Sequence, residues 1–99
     1  MGDFKNVDKL KMLLGFATKA RKVVFGLDAI LQKGNKILTV LYDSSLSLNS
    51  LDKAKRFCDN FDVRCIHYMD LIKDAVHKQN CKIVGIIDKT FADSISKYV

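Results

Sequence analysis

VVFGLDAILQKG, residues 23–34, decides how this chain is read. Val23, Val24 and Phe25 are β-branched or aromatic and predict a short strand. Gly26 ends that strand, and Leu27 to Lys33 follow as a helix that Gly34 stops. A strand that turns straight into a helix is the repeating unit of an α/β fold.

The same alternation continues outward in both directions. Upstream, Asn6 can cap a helix with Asp8 in its first turn. Val7, Leu10, Leu14 and Ala17 form its buried stripe, supported by Leu13 and Ala20, while Lys9, Lys11 and Lys19 face solvent. That helix fades near Arg21-Lys22. Downstream, Ile37 to Tyr42 predicts a strand covered on both faces, hence central, and Asp43-Ser44-Ser45 breaks it. A helix from about Asn49 to Asp59 buries Leu51, Ala54 and Cys58, with Phe61 just beyond. Val63 to His67 alternates as a strand. Asp70 then caps a short helix carrying Leu71, Ile72, Ala75 and Val76. Gln79-Asn80 is a loop, Lys82 to Ile87 a buried strand, and a last helix follows Asp88 with Phe91, Ile95 and Tyr98 inward. The expected architecture is a three-layer α/β/α sandwich formed as one domain, residues 1–99, with helices on both faces of a mixed, mainly parallel sheet of about four strands.

A chain of 99 residues, 48% hydrophobic and 28% charged and without proline, has the composition of a folded globule rather than a disordered tail. Asp3, Lys5, Asp8 and Lys9 interrupt the stretch where a signal peptide needs apolar residues, so a cytoplasmic protein is expected. No apolar run is long enough to span a membrane. Cys58, Cys65 and Cys81 are odd in number and widely spaced, which predicts reduced, mostly buried thiols. The formal net charge is +6. Residues 1–36 hold eight basic and three acidic residues, a surplus of five, whereas the rest holds nine against eight. A basic half on an otherwise balanced globule suggests a polyanion partner.

Chemistry-bearing motifs are sparse. Gly15, Gly26 and Gly34 are too far apart for a dinucleotide loop, and no Gly-Lys-Ser/Thr occurs. Cys65 and His67 share a strand face but lack zinc-type spacing, and read as core residues. Asp43 and Lys89 follow strands as in a phosphoacceptor domain, yet residues 23–26 offer no further carboxylates for magnesium. Neither catalysis, a metal, a cofactor nor a small-molecule substrate is expected.

Residues 13–26, LLGFATKARKVVFG, resemble the opening of the kink-turn-binding ribosomal protein family, the group of archaeal large-subunit protein seven-Ae and eukaryotic protein thirty. Bacterial YlxQ-like members are the most similar. The likeness continues through Tyr42-Asp43, Arg56-Phe57-Cys58 and Ile86-Ile87-Asp88-Lys89-Thr90-Phe91-Ala92, and so covers nearly the whole chain. It implies a non-catalytic ribosomal-type protein that recognises kink-turn or ribosomal RNA through the start of its second helix and a later loop. Where the family has Gly, any residue, Asn, Glu, two residues and Lys, this chain has Gly26, Leu27, Asp28, Ala29, Ile30, Leu31 and Gln32. Asp28 keeps hydrogen-bond acceptance without donation, Ala29 has no polar group, and Gln32 keeps polarity without charge. Arg21 stands where bacterial relatives usually have glycine.

Lysine distribution and resemblance together place the expected RNA contacts at Arg21, Lys22, Gly26, Leu27, Asp28, Gln32, Lys33 and Lys36, with Gln79, Asn80 and Lys82 in the later loop. An assembly module of the same fold, without kink-turn specificity, is the alternative expectation.

Overall fold

The computed structural model describes the backbone of residues 2–98 and the side chains of residues 8–98. Helix α1 runs Gly2–Lys19, so it begins before Asn6 instead of being opened by it; the side chains of Asn6 and Val7 lie outside the described residues. Leu10, Leu14 and Ala17 form the buried stripe, whereas Ala20 is exposed beyond the helix end. Strand β1 is Val23–Phe25 and helix α2 is Leu27–Lys33. A 3₁₀ turn, Gly34–Lys36, leads to strand β2, Thr39–Tyr42, shorter than expected because Ile37 turns into the core and Leu38 outward. Helix α3, Leu48–Phe61, is capped by Ser47 and extends a turn's fraction past its expected ends, burying Phe57 as well as Ala54 and Cys58. Strand β3 is Arg64–His67, helix α4 is Ile72–Val76, strand β4 is Ile83–Ile86, and helix α5 is Lys89–Ser96 with Asp88 accepting from the Phe91 amide.

The strands lie in the order β1-β4-β2-β3. One pairing, β2 with β3, is parallel; β4 is antiparallel to both β1 and β2. The mainly parallel expectation is therefore corrected. Alternating helices and strands suggest crossovers that return the chain to the starting end. The α4 connection does not do so. Its 5 residues rise only about 7.5 Å, against about 13 Å for a four-residue strand. The chain therefore re-enters the sheet from the end it left, and β4 runs against its neighbours.

Two apolar clusters cover the sheet. Leu14, Ala17, Tyr68, Ile72 and Ile95 place α1, α4 and α5 on one face; Ile30, Ala54, Phe57 and Cys58 place α2 and α3 on the other. This is the expected α/β/α sandwich. Gly85 sits mid-sheet, where an added Cβ would lie 2.9 Å from Ile37 Cδ1 and 3.2 Å from Ile30 Cγ1. The absence of a side chain there lets Ile30 and Ile37 settle onto β4.

Candidate nucleic-acid interface

Strand direction divides the expected contact residues between two ends of the sheet. At the first end, β1 finishes at Phe25 beside the start of β4, and the Gly26 amide donates to Ile83 O at 3.1 Å. Next to it, the Asp43 amide donates to Lys82 O at 3.1 Å. Gly26, Leu27, Asp28 and the loop carrying Gln79, Asn80 and Lys82 thus meet at one sheet end. Residues at the other end enter the strands rather than leave them. Lys22 O accepts from Ile87 there, and Arg21 precedes it; Lys36 sits just ahead of Leu38, whose amide pairs with Ile86. Gln32 and Lys33 occupy the last turn of α2, about 8 Å along its axis from Leu27. All of these except Gly26 and Leu27 are exposed.

Gly26 has φ 89° and ψ 155°, a backbone region that side-chain-bearing residues rarely enter. An added Cβ would meet nothing within 4 Å, so the space above the turn is open. Helix α2 starts without a side-chain cap, and Asp28 lies in its first turn. Gly26 does not itself present an unpaired amide, since its N–H is held by Ile83. The glycine's contribution is backbone shape and access.

The α4–β4 loop is held in a defined conformation. His77 and Asn80 are left-handed, with φ 56° and 60°, the His77 amide returns to Lys73 O, and Cys81 donates to Lys78 O at 3.3 Å. A concavity of about 280 Å³ is lined there by Asp43, Ser45, Lys73, Asn80 and Lys82 among others. Another of about 310 Å³ is lined by Lys73, Asp74, His77, Lys78 and Gln79. Lys78 Nζ sits 4.7 Å over the Phe25 ring, joining loop to strand end. Lys73 and Lys78 were not among the expected contacts. Their signal is one lysine in a short helix and another just after it, ahead of a strand, which acquires meaning only once β4 is placed beside β1.

Asp43 is 1% exposed and its carboxylate is fully engaged. Oδ1 accepts from the Ser45 amide at 2.8 Å and from the Ser45 hydroxyl, while Oδ2 accepts from the Ile72 amide at 2.8 Å. The expected Asp70 cap is therefore corrected: Leu71 holds the N-cap position without a side-chain bond, Asp70 accepts from its neighbour Leu71, and Asp43 caps α4 from the end of β2. This buried carboxylate ties the turn after β2 to the start of α4.

His67 is exposed rather than part of the core, because β3 is an edge strand. It stacks on Tyr42 with ring centroids 5.1 Å apart and shares a 2.9 Å hydrogen bond with Ser44. Cys65 is half-buried beside Cys58; their mutual hydrogen bond pushes the Cys58 thiol up and lowers that of Cys65. Among the described residues, no three His, Cys, Asp or Glu side chains converge as a metal site, and no helix is long and apolar enough to cross a membrane.

Fold and surface together define an α/β/α sandwich with β4 inserted between two strands of opposite direction. A solved structure described as a protein with unknown function from Bacillus halodurans C is similar to it, with a TM-score of 0.84 over 91% of this chain and 95% of that chain. Sequence identity is 18%, so the likeness establishes the fold alone. No protein-family model and no curated protein matches the sequence.

Proposed function

We propose that this chain is a non-catalytic binder of structured RNA of the kink-turn type, acting in the cytoplasm on ribosomal or other functional RNA. One observation carries the reading: the open Gly26 turn and the lysine-bearing α4–β4 loop, distant in sequence, share one sheet end. These are the two segments that the family resemblance expects against RNA. Lys73, Lys78 and Lys82 supply cations to phosphate there, and the held backbone supplies shape. The carboxylate of Asp28 opposes close approach of phosphate at the helix start and suits a base N–H donor instead. Affinity then comes mainly from lysine and selectivity from the bent geometry of the RNA.

The test is a titration of a kink-turn RNA against a matched duplex whose sheared G·A pairs are replaced, at several salt concentrations. Preference for the intact bend is expected at every salt. Equal affinity for both RNAs would overturn kink-turn recognition and leave the assembly-module alternative.

A further inference from the structure

The surface of α1 that faces away from the sheet carries two large apolar side chains among its lysines. Met12 and Phe16, one turn apart, are 58% and 52% exposed. A groove lies on each side of this ridge. Towards α5 it has a volume of about 300 Å³, and towards α4 about 470 Å³; Met12 and Phe16 line both. Ridge and grooves arise from the fold, because α1 is the helix that packs against both α4 and α5.

The charges around the two grooves differ. Among the described residues, Lys9 and Lys97 line the α5 groove without an acidic residue. On the α4 side, Lys11 and Lys19 are balanced by Asp8 and Asp74. We propose that this face docks an amphipathic helix of a partner protein, its apolar stripe along Met12 and Phe16 and an acidic flank over the α5 groove. A helix presents apolar anchors at three- and four-residue spacing, which matches a ridge of two side chains one turn apart between parallel grooves. Methionine and phenylalanine give adaptable, large contact area. An acidic flank meets Lys9 and Lys97, whereas the α4 side takes a neutral or mixed flank. A second copy packed about a two-fold axis running across the ridge would bring the same lysines against each other, and an anionic membrane would face the carboxylates of Asp8 and Asp74. The α4-side groove adjoins the candidate nucleic-acid interface at Asp74 and His77, whereas Met12, Phe16 and the α5-side groove lie outside it.

Two fluorescein-labelled helical peptides test this, each with a leucine stripe, one with a glutamate flank and one with a lysine flank in its place. In anisotropy titrations of the full chain, the glutamate peptide should bind and the lysine peptide should bind at least tenfold more weakly. Met12→Ser and Phe16→Ser should each weaken the glutamate peptide about tenfold or more while leaving the thermal melt and kink-turn RNA affinity unchanged. Lys9→Glu with Lys97→Glu should reverse the peptide preference. Absence of binding, or equal binding of both peptides, would overturn the proposal. So would self-association in sedimentation, or flotation with phosphatidylserine vesicles, that is abolished by the serine substitutions. Loss of RNA affinity in those same variants would overturn it too, by placing the face within the RNA surface.

Discussion

Replacing Gly26 by alanine isolates the backbone contribution of the turn between β1 and α2. An added Cβ meets nothing within 4 Å, so no steric term enters. What remains is a non-glycine residue held at φ 89° and ψ 155°, which costs about 1–3 kcal/mol. Alanine also narrows the unfolded ensemble, offsetting about 0.4–1 kcal/mol of that. The net expectation is a loss of about 1–2 kcal/mol, or a melting temperature lower by about 4–8 °C for each kcal/mol in a chain this size. With no tryptophan in the sequence, urea unfolding followed by far-ultraviolet circular dichroism is the direct assay. The midpoint should fall with its slope unchanged. Gly15→Ala is the matched control. Gly15 lies inside α1, and its added Cβ would make an ordinary 3.7 Å contact with Ala75 O, so this change should stabilise by about 0.5–1 kcal/mol. Opposite signs for the two variants are required. A neutral Gly26→Ala would mean that the turn relaxes freely, and the rigid sheet end on which RNA selectivity is argued would be refuted.

Asp43→Ala should destabilise by about 2–4 kcal/mol in chemical denaturation, because the Ile72 and Ser45 amides both lose a charged acceptor; Asp70→Ala should cost under about 1 kcal/mol, and reversed ranking would restore Asp70 as the cap. Tyr68 is 1% exposed and its hydroxyl has no partner among the described residues, so Tyr68→Phe should raise stability by about 1 kcal/mol in the same assay. Burial, with Asp70, Asp74 and Asp8 nearby, pushes the Tyr68 phenol from 10.0 up to about 12. The unfolded chain therefore ionises first: this group leaves stability independent of pH below pH 10 and lowers it between pH 10 and about 12, a loss that melts of Tyr68→Phe across that range should lack. Gly85→Ala should destabilise by about 1–3 kcal/mol through overpacking against Ile37 and Ile30, and a gain in stability would show that those side chains have room to move.

What was legible in the sequence was local. Val23 to Phe25, Leu27 to Lys33 and the stop at Gly34 follow from side-chain branching, helical spacing and glycine's backbone freedom, and each lies where expected. The buried character of β4 was equally clear, since Ile83 to Ile86 are all covered. Its direction was not, because that depends on how far a five-residue helix can carry the chain. The cap of α4 was hidden for a similar reason: Asp43 lies far upstream, while Asp70 stood at the conventional position. Alternation identifies β3 as a strand but not as an edge, so His67 reads as core although it is exposed. In the candidate interface, Gly26 and the Gln79 to Lys82 loop were identified as segments. Which lysines stand beside them is set by strand pairing, not by distance along the chain.

That distinction governs which lysines matter on the proposed RNA reading. Lys22 and Lys36 are near Gly26 in sequence, yet they belong to the opposite sheet end, beyond a strand about 10 Å long. At physiological ionic strength the Debye length is about 8 Å, so a phosphate held at the Gly26 end is largely screened from them. Lys78, over Phe25, and Lys82, beside Ile83, stand at the Gly26 end of the sheet. Replacing either by alanine should weaken kink-turn affinity and reduce the slope of log affinity against log salt by about 0.7–0.9 per lysine. Lys22→Ala and Lys36→Ala should leave that slope within error, changing at most the association rate through the long-range field. Salt-dependent titrations of the four single variants measure this directly. Slopes that fall with Lys22 and Lys36 but not with Lys78 and Lys82 would move the RNA to the far end of the sheet, where Gly26 cannot reach it, and the reading would fail on its own geometry.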